Sequence, residues 1–260
     1  MRPTRVLLAV SAAALVATAC GNDSTSGAAA PSQAPASAGS SASASPSAAG
    51  SEISGLAATE IFSRAKAAFK KADSVRLSGS GSSGTNKFSI DMRYAASGNA
   101  IGTVGNAGQT IELRRIGQTV YVKADKAFWT SSAGAAAGEL LGGKYLKAPL
   151  TDKRVAQLGA FTDKNSFADE VLDPANAVTK GDTKSIRGVP AIGLVDKSST
   201  GSATLYVATT GEPVPLQLAP SSGAGGAGNS GSFDFLDYGK SFDVAVPPAA
   251  LTIDSTKLGK

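Results

Sequence analysis

Apolar positions change their spacing along this chain, and each change predicts an element. Between Leu56 and Ala72, Ile61, Ala65, Ala68 and Phe69 recur at helical intervals and form one apolar face. Thr59 is the expected N-cap, and Lys70 and Lys71 fall in the last turn, where cations favour the helix dipole. From Phe88 to Tyr94 the period becomes two. Phe88, Ile90, Met92 and Tyr94 alternate with Ser89, Asp91 and Arg93, as in a half-buried antiparallel strand. Ser97-Gly98-Asn99 supplies a turn before Ile101 and Thr103. Ile111 and Leu113 then alternate with Glu112 and Arg114, and Gly117-Gln118 turns the chain into Val120 and Val122. A meander of short hairpins is expected here.

The middle reads as more helical. Ala135 to Leu141 ends at Gly142-Gly143, and Asp152 to Leu158 and Ser166 to Leu172 are further short helices, the last stopped by Asp173-Pro174. Strands resume over Ala177 to Ile186 and Ala191 to Asp196, around an Arg187-Gly188 turn. Ala203 to Ala208 and Pro213 to Ala219 flank Thr210-Gly211-Glu212. Ser221 to Ser232 reads as a long Gly-, Ala- and Ser-rich loop before a strand carrying Phe233 and Phe235, and Pro247-Pro248 is expected to end regular structure. Helix, strands, helices, strands is the order of an α+β fold: one large antiparallel sheet with helices on one face.

The N-terminal apolar stretch, Val6 to Val16, is too short for an ordinary spanning helix and follows Arg2 and Arg5. Ala17, Thr18 and Ala19 are small, and Cys20-Gly21 follows. The run resembles a lipobox, departing from that pattern in having Ala17 where Leu, Val or Ile is preferred. The expectation is a signal peptide over 1–19 and a diacylglyceryl thioether on Cys20, the lipid attachment site. Cys20 is the sole cysteine in 260 residues, so it has no internal disulfide partner, and acylation accounts for it. Two acyl chains suffice for stable anchoring where one does not. Residues 20–55 comprise this cysteine and a tether of Ala, Ser, Gly, Pro and Thr, lacking the side chains that offset ordering entropy. A tether of about 30 residues spans roughly 30 Å. Residues 56–260 are read as a single domain on the extracytoplasmic face of the cell membrane.

Removing Arg2 and Arg5 leaves 25 − 2 = 23 basic and 20 acidic residues, a net of +3. The basic residues are scattered, with no stripe interleaved with aromatics, so no nucleic-acid partner is expected. The chain has no His, and its one Cys is assigned to lipid. Ser-His-Asp, Cys-His and Cys/His zinc sites are therefore excluded. Ser63-Arg64-Ala65-Lys66 has S-x-x-K spacing, but Lys-Thr-Gly is missing. Asp163-Lys164-Asn165 opens like a calcium loop that Phe167, Ala168 and Pro174 then break. No catalytic residue, metal or cofactor is expected.

The helix from Glu60 to Lys71, the strand from Phe88 to Tyr94, and the run from Ile111 to Lys123 together resemble the actinobacterial lipoproteins related to mycobacterial lipoproteins that bind or move lipids. Phe128-Trp129, Lys144 to Lys147, Asp237 to Lys240 and Val246-Pro247-Pro248 extend the resemblance. More distantly the chain is similar to the outer-membrane lipoprotein carriers. The resemblance implies a strongly curved half-barrel sheet with helices on its concave face and, in some members, an apolar cavity between them. The expected lining is Phe88, Ile90, Met92, Tyr94, Ile111, Leu113, Val120, Val122 and Trp129 from the first half. Leu194, Leu205, Val207, Leu218, Phe233 and Phe235 continue it from the second. Trp129 is read either as part of a lid or as a packing anchor. Two functions stay open: a carrier of a lipid or other hydrophobic ligand, and a non-enzymatic surface interaction module whose core is filled. Neither names a protein partner.

Overall fold

The computed structural model describes residues 53–83, 85–198, 201–222 and 229–258. The signal segment, Cys20 and residues 21–52 of the tether lie outside the described residues. The elements in chain order are α1 (Ala58–Lys71), β1 (Ser74–Ser83), β2 (Asn86–Ala95), β3 (Ala100–Asn106), β4 (Gln109–Ile116) and β5 (Thr119–Lys123). Then come α2 (Lys126–Ala133), α3 (Ala135–Leu141), β6 (Tyr145–Pro149), α4 (Ala156–Ala160) and α5 (Lys164–Val171). The remaining strands are β7 (Thr179–Ile186), β8 (Val189–Ser198), β9 (Gly201–Ala208), β10 (Pro215–Ser222), β11 (Asn229–Leu236) and β12 (Thr252–Asp254). Among the described residues no helix is long and apolar enough to cross a membrane.

The twelve strands form one curved, unclosed sheet in the order β12-β6-β5-β4-β3-β2-β1-β11-β10-β9-β8-β7. Every neighbouring pair is antiparallel except β12 with β6. The fold is α+β, with the helices on the concave face. Two meanders, β1 to β6 and β7 to β11, meet where β1 pairs with β11. The β7–β8 hairpin closes on Arg187-Gly188, whose φ values of 51° and 84° are both positive, as a two-residue turn matched to strand twist requires. The ladder between β10 and β11 is short, Gln217–Asp234 and Leu218–Phe233. Beside it the Arg187 guanidinium donates to the carbonyls of Leu216 (2.8 Å) and Phe235 (3.0 Å) and pairs with Asp234 at 2.5 Å. The guanidinium thus bridges β10 and β11 beyond the end of their ladder.

After β11 the chain crosses the convex face. Ser74 Oγ donates to the Lys240 carbonyl at 2.7 Å, and Arg114 Nη1 to that of Ala245 at 3.0 Å. β12 then docks parallel along β6. The opposite edge, β7, is exposed over all but its last residue and carries Lys180, Asp182, Lys184 and a register irregularity, features that discourage edge-to-edge pairing.

Several expectations are corrected. Thr59 is not the N-cap of α1: the helix starts at Ala58, Ala57 occupies the extended cap position without a side-chain bond, and Glu60 faces the first-turn dipole instead. Ser221 and Ser222 end β10 by pairing with Ser202 and Gly201, and Asn229 to Ser232 begin β11 by pairing in register with Ser83 to Ser80; residues 223–228 lie outside the described set. Pro247-Pro248 does not end regular structure, since a 3-10 turn and β12 follow. Asp163, the first residue of the broken calcium pattern, is the N-cap of α5 and accepts from Ser166 N–H at 2.7 Å. Lys66, of the S-x-x-K match, pairs with Asp169 and Asp173 on the outside of the helix layer.

Candidate ligand-binding groove

The concave face is built from alternate residues of successive strands, and its burial changes along them. On β2, Tyr94 and Met92 are fully buried, Ile90 nearly so, and Phe88 half-exposed. The same gradient runs from Leu77 to Gly79 and Gly81 on β1, from Ala100 to Gly102 and Val104 on β3, and from Phe235 to Phe233 on β11. The helices set it. Phe69 of α1 meets Phe235 edge-on at 5.6 Å and lies 6.1 Å from Phe167 of α5, which lies 6.2 Å from Tyr94. These rings fill the covered end. Tyr94 Oη donates to the Phe161 carbonyl at 3.0 Å, and burial pushes its phenol far above the usual range.

At the other end no ring comes down from a helix among the described residues. Phe88 and Phe233 stack on each other, centroids 5.6 Å apart and planes 10° from parallel. They lie against the sheet because β1 carries glycine beneath them. A Cβ at Gly79 would meet Phe233 Cδ1 at 2.8 Å, and one at Gly81 would meet Phe88 Cζ at 2.9 Å. Beside the pair opens a groove of about 500 Å³. Phe88 and Gly81 supply its apolar wall, and Lys87, Ser89, Asn106 and Gln109 stand on its rim. That size falls within the roughly 300–1,000 Å³ of ligand pockets, and Phe88 is the one apolar side chain among lining residues that are otherwise glycines, hydroxyls, amides and Lys87. Among the described residues Lys87 is the single charge on the lining.

The expected lining residues divide between these regions. Phe88 lines the groove and Phe233 supports it. Ile90, Met92, Tyr94, Ile111, Leu113, Val120, Val122, Leu194, Leu205, Val207 and Phe235 lie in one contiguous buried core, with Leu218 packed against it. Leu194, Leu205 and Leu218 also border a cleft of about 50 Å³ beside Phe62 and Val171, too small for more than a water or two at about 30 Å³ each. Trp129 is a buried core member on α2 with Phe128 edge-on at 5.1 Å, and its Nε1–H has no acceptor among the described residues. A buried donor without a partner costs about 1–3 kcal/mol, which an ordered water or a polar ligand atom would relieve.

The groove glycines and Ser89 could not be picked out from the sequence. The sequence pattern assigns Gly79 and Gly81 no role, because their meaning depends on which ring crosses them. On the convex face, Glu112, Arg114 and Tyr145 form a closed hydrogen-bonded set of 2.7 to 2.9 Å. Burial and the neighbouring Glu112 push Tyr145 up to about 12. Each member has its partners in this set, with Arg114 also donating to the Ala245 carbonyl. Among the described residues no three His, Cys, Asp or Glu side chains are grouped to hold a metal ion.

No protein-family model and no curated protein matches the sequence. The chain resembles solved mycobacterial lipoproteins. LprF from Mycobacterium bovis is similar at 13% identity over 74% of this chain and 96% of that one, with a TM-score of 0.48. The lipoprotein LppX of Mycobacterium tuberculosis is similar at 15% identity over 72% and 98%, with a TM-score of 0.47. MucB of Pseudomonas aeruginosa, in its complex with MucA, is similar at 15% identity over 74% of this chain and 59% of that one, with a TM-score of 0.37.

Proposed function

We propose that this protein is a non-catalytic, lipid-anchored extracytoplasmic binder that takes the apolar chain of a lipid or similar hydrophobic molecule against Phe88 and Phe233. The observation that carries this reading is the uncovered end of the concave face. Among the described residues, no helix ring packs over Phe88 and Phe233 there. An apolar ligand would restore the dispersion contacts and remove that surface from water. The rim suits the polar end of such a molecule, with neutral hydroxyl and amide groups and one ammonium, Lys87. The Cys20 anchor and its tether would keep the groove within roughly 30 Å of the headgroups.

The test uses the full chain made without its acyl group, Cys20→Ser, so that the anchor does not supply the lipid. Solvent extraction and mass spectrometry are expected to find a bound lipid, or a fluorescent fatty acid to bind saturably. Phe88→Ala should weaken that binding by about tenfold, since losing a buried aromatic contact removes on the order of 1–3 kcal/mol. An empty extract together with no fatty-acid binding would defeat the proposal. It would leave the second reading, a surface interaction module, which the filled core under α1 and α5 favours.

A further inference from the structure

At the end of β2 away from Phe88, a smaller hollow of about 110 Å³ opens between the β2–β3 turn, β4 and the N-terminus of α5. Lys70, Arg115 and Lys164 line it, with Asn99, Asp163 and Asn165. The charges around it are unevenly matched. Both oxygens of Asp163 are engaged, Oδ2 by Arg115 Nη1 and Oδ1 by the N–H of Ser166, each at 2.7 Å. Asp169 takes Lys70 at 2.5 Å and Lys66 at 3.2 Å. Lys164, by contrast, is 8% exposed and joins no ion pair among the described residues. Its ammonium donates to the Ala72 carbonyl, at the negative end of the α1 dipole. Asp73 acts on it only through its field, and burial pushes the ammonium pKa down.

Donors are left over. An ammonium has three, and the Ala72 carbonyl takes one. Arg115 spends Nε on the Gly117 carbonyl and Nη1 on Asp163. Its Nη2 has no acceptor among the described residues and stands 3.7 Å from where a Cβ on Gly98, another lining residue, would be. The first turn of α5 adds the positive end of its dipole. The hollow has the room of roughly three or four waters at about 30 Å³ each, the scale of one tetrahedral oxyanion.

We propose that this pocket binds a phosphate group, with Lys164 and Arg115 as its charged contacts. A buried ammonium with no direct ion-pair partner among the described residues is costly, and a tetrahedral oxyanion supplies both the charge and acceptors for the free N–H groups. The group could arrive as free phosphate or on a phospholipid, and the chemistry at the pocket is the same. This inference does not depend on the apolar groove.

The test is a titration of the full Cys20→Ser chain, labelled with nitrogen-15, with inorganic phosphate. Saturable shifts confined to the amides of Gly98, Asn99, Lys164 and Asn165, in the millimolar range or tighter, are expected. Lys164→Gln should weaken them by about tenfold or more. Shifts that fail to saturate, or that scatter over the surface lysines, overturn the proposal, as does unchanged affinity in a folded Lys164→Gln protein. If that variant does not fold, the wild-type titration decides alone. Sedimentation with phosphatidylcholine vesicles, with and without phosphatidic acid, separates the sources. Retention by phosphatidic acid that free phosphate competes away identifies a headgroup, and saturable phosphate binding without such retention identifies the free anion.

Discussion

The two ends of the concave face are made of the same strands, yet one is closed and the other open. Met92 and Phe88 sit two turns of the pleat apart on β2, both apolar and pointing the same way, and only Met92 is sealed. The difference lies in what comes down from above. Phe69 and Phe167 reach the sheet over Tyr94 and Phe235, and among the described residues no helix ring reaches Phe88 or Phe233. Alternation along a strand therefore reports which face is apolar and not whether anything covers it.

The sharpest way to break this contrast is to remove a ring from the covered end. Phe235→Ala should cost about 3–5 kcal/mol, because the surrounding core can only partly collapse into the space. Urea unfolding measures it. Next comes the boundary between the ends, at Gly102. A Cβ there would stand 2.0 Å from the Asp91 carbonyl oxygen and 2.7 Å from Met92 Sδ. Gly102→Ala should cost about 1–3 kcal/mol by forcing Met92 and the backbone apart, visible in the same unfolding curves.

A smaller effect tests the rim of the covered end by pH. The Arg154 hydrogen bond, with help from the Ser255 hydroxyl, holds the Asp152 carboxyl down to about 2 against burial, from an ordinary 3.8. A depressed carboxyl contributes stability above its unfolded value. That contribution should be whole above about pH 4 and should fade as the pH drops from 3.8 toward 2. Asp152→Asn should flatten the urea midpoint over that window, and an unaltered acid slope would argue against it. The smallest stability change belongs to Phe88→Ala, about 1 kcal/mol, since its ring is only partly buried. A cost equal to that of Phe235→Ala would erase the distinction between the ends.

Much of this architecture was legible in the sequence. The alternation from Phe88 to Tyr94 lies within β2, and Ile111 to Val122 spans β4 and β5. The α1 face of Ile61, Ala65, Ala68 and Phe69 is buried as its spacing required. What escaped was the strand on which the sheet is centred. β1 reads SVRLSGSGSS, and its apolar alternation stops at Leu77 because the next two inward positions are glycines under aromatic rings. A lack of side chains there is a packing choice made by strands distant in sequence, so local pattern gives no strand signal for it. β6 and α2 were missed for a related reason. They are short, and Tyr145 and Trp129 are held by partners far along the chain rather than by a periodic neighbour. The groove follows the same rule. Phe88 could be nominated from its strand, while the open space beside it follows from how far the helices extend.

The parallel docking of β12 on β6 has a consequence for how the chain matures. β6 is made about a hundred residues before the segment that covers its free flank, and that segment must first travel over the back of the sheet. Until then Tyr145 to Pro149 offers unmet amide and carbonyl groups to any passing polypeptide. The newborn protein is thus most vulnerable to sticking at one identifiable seam, and losing a handful of residues around Ile253 would leave it so for life.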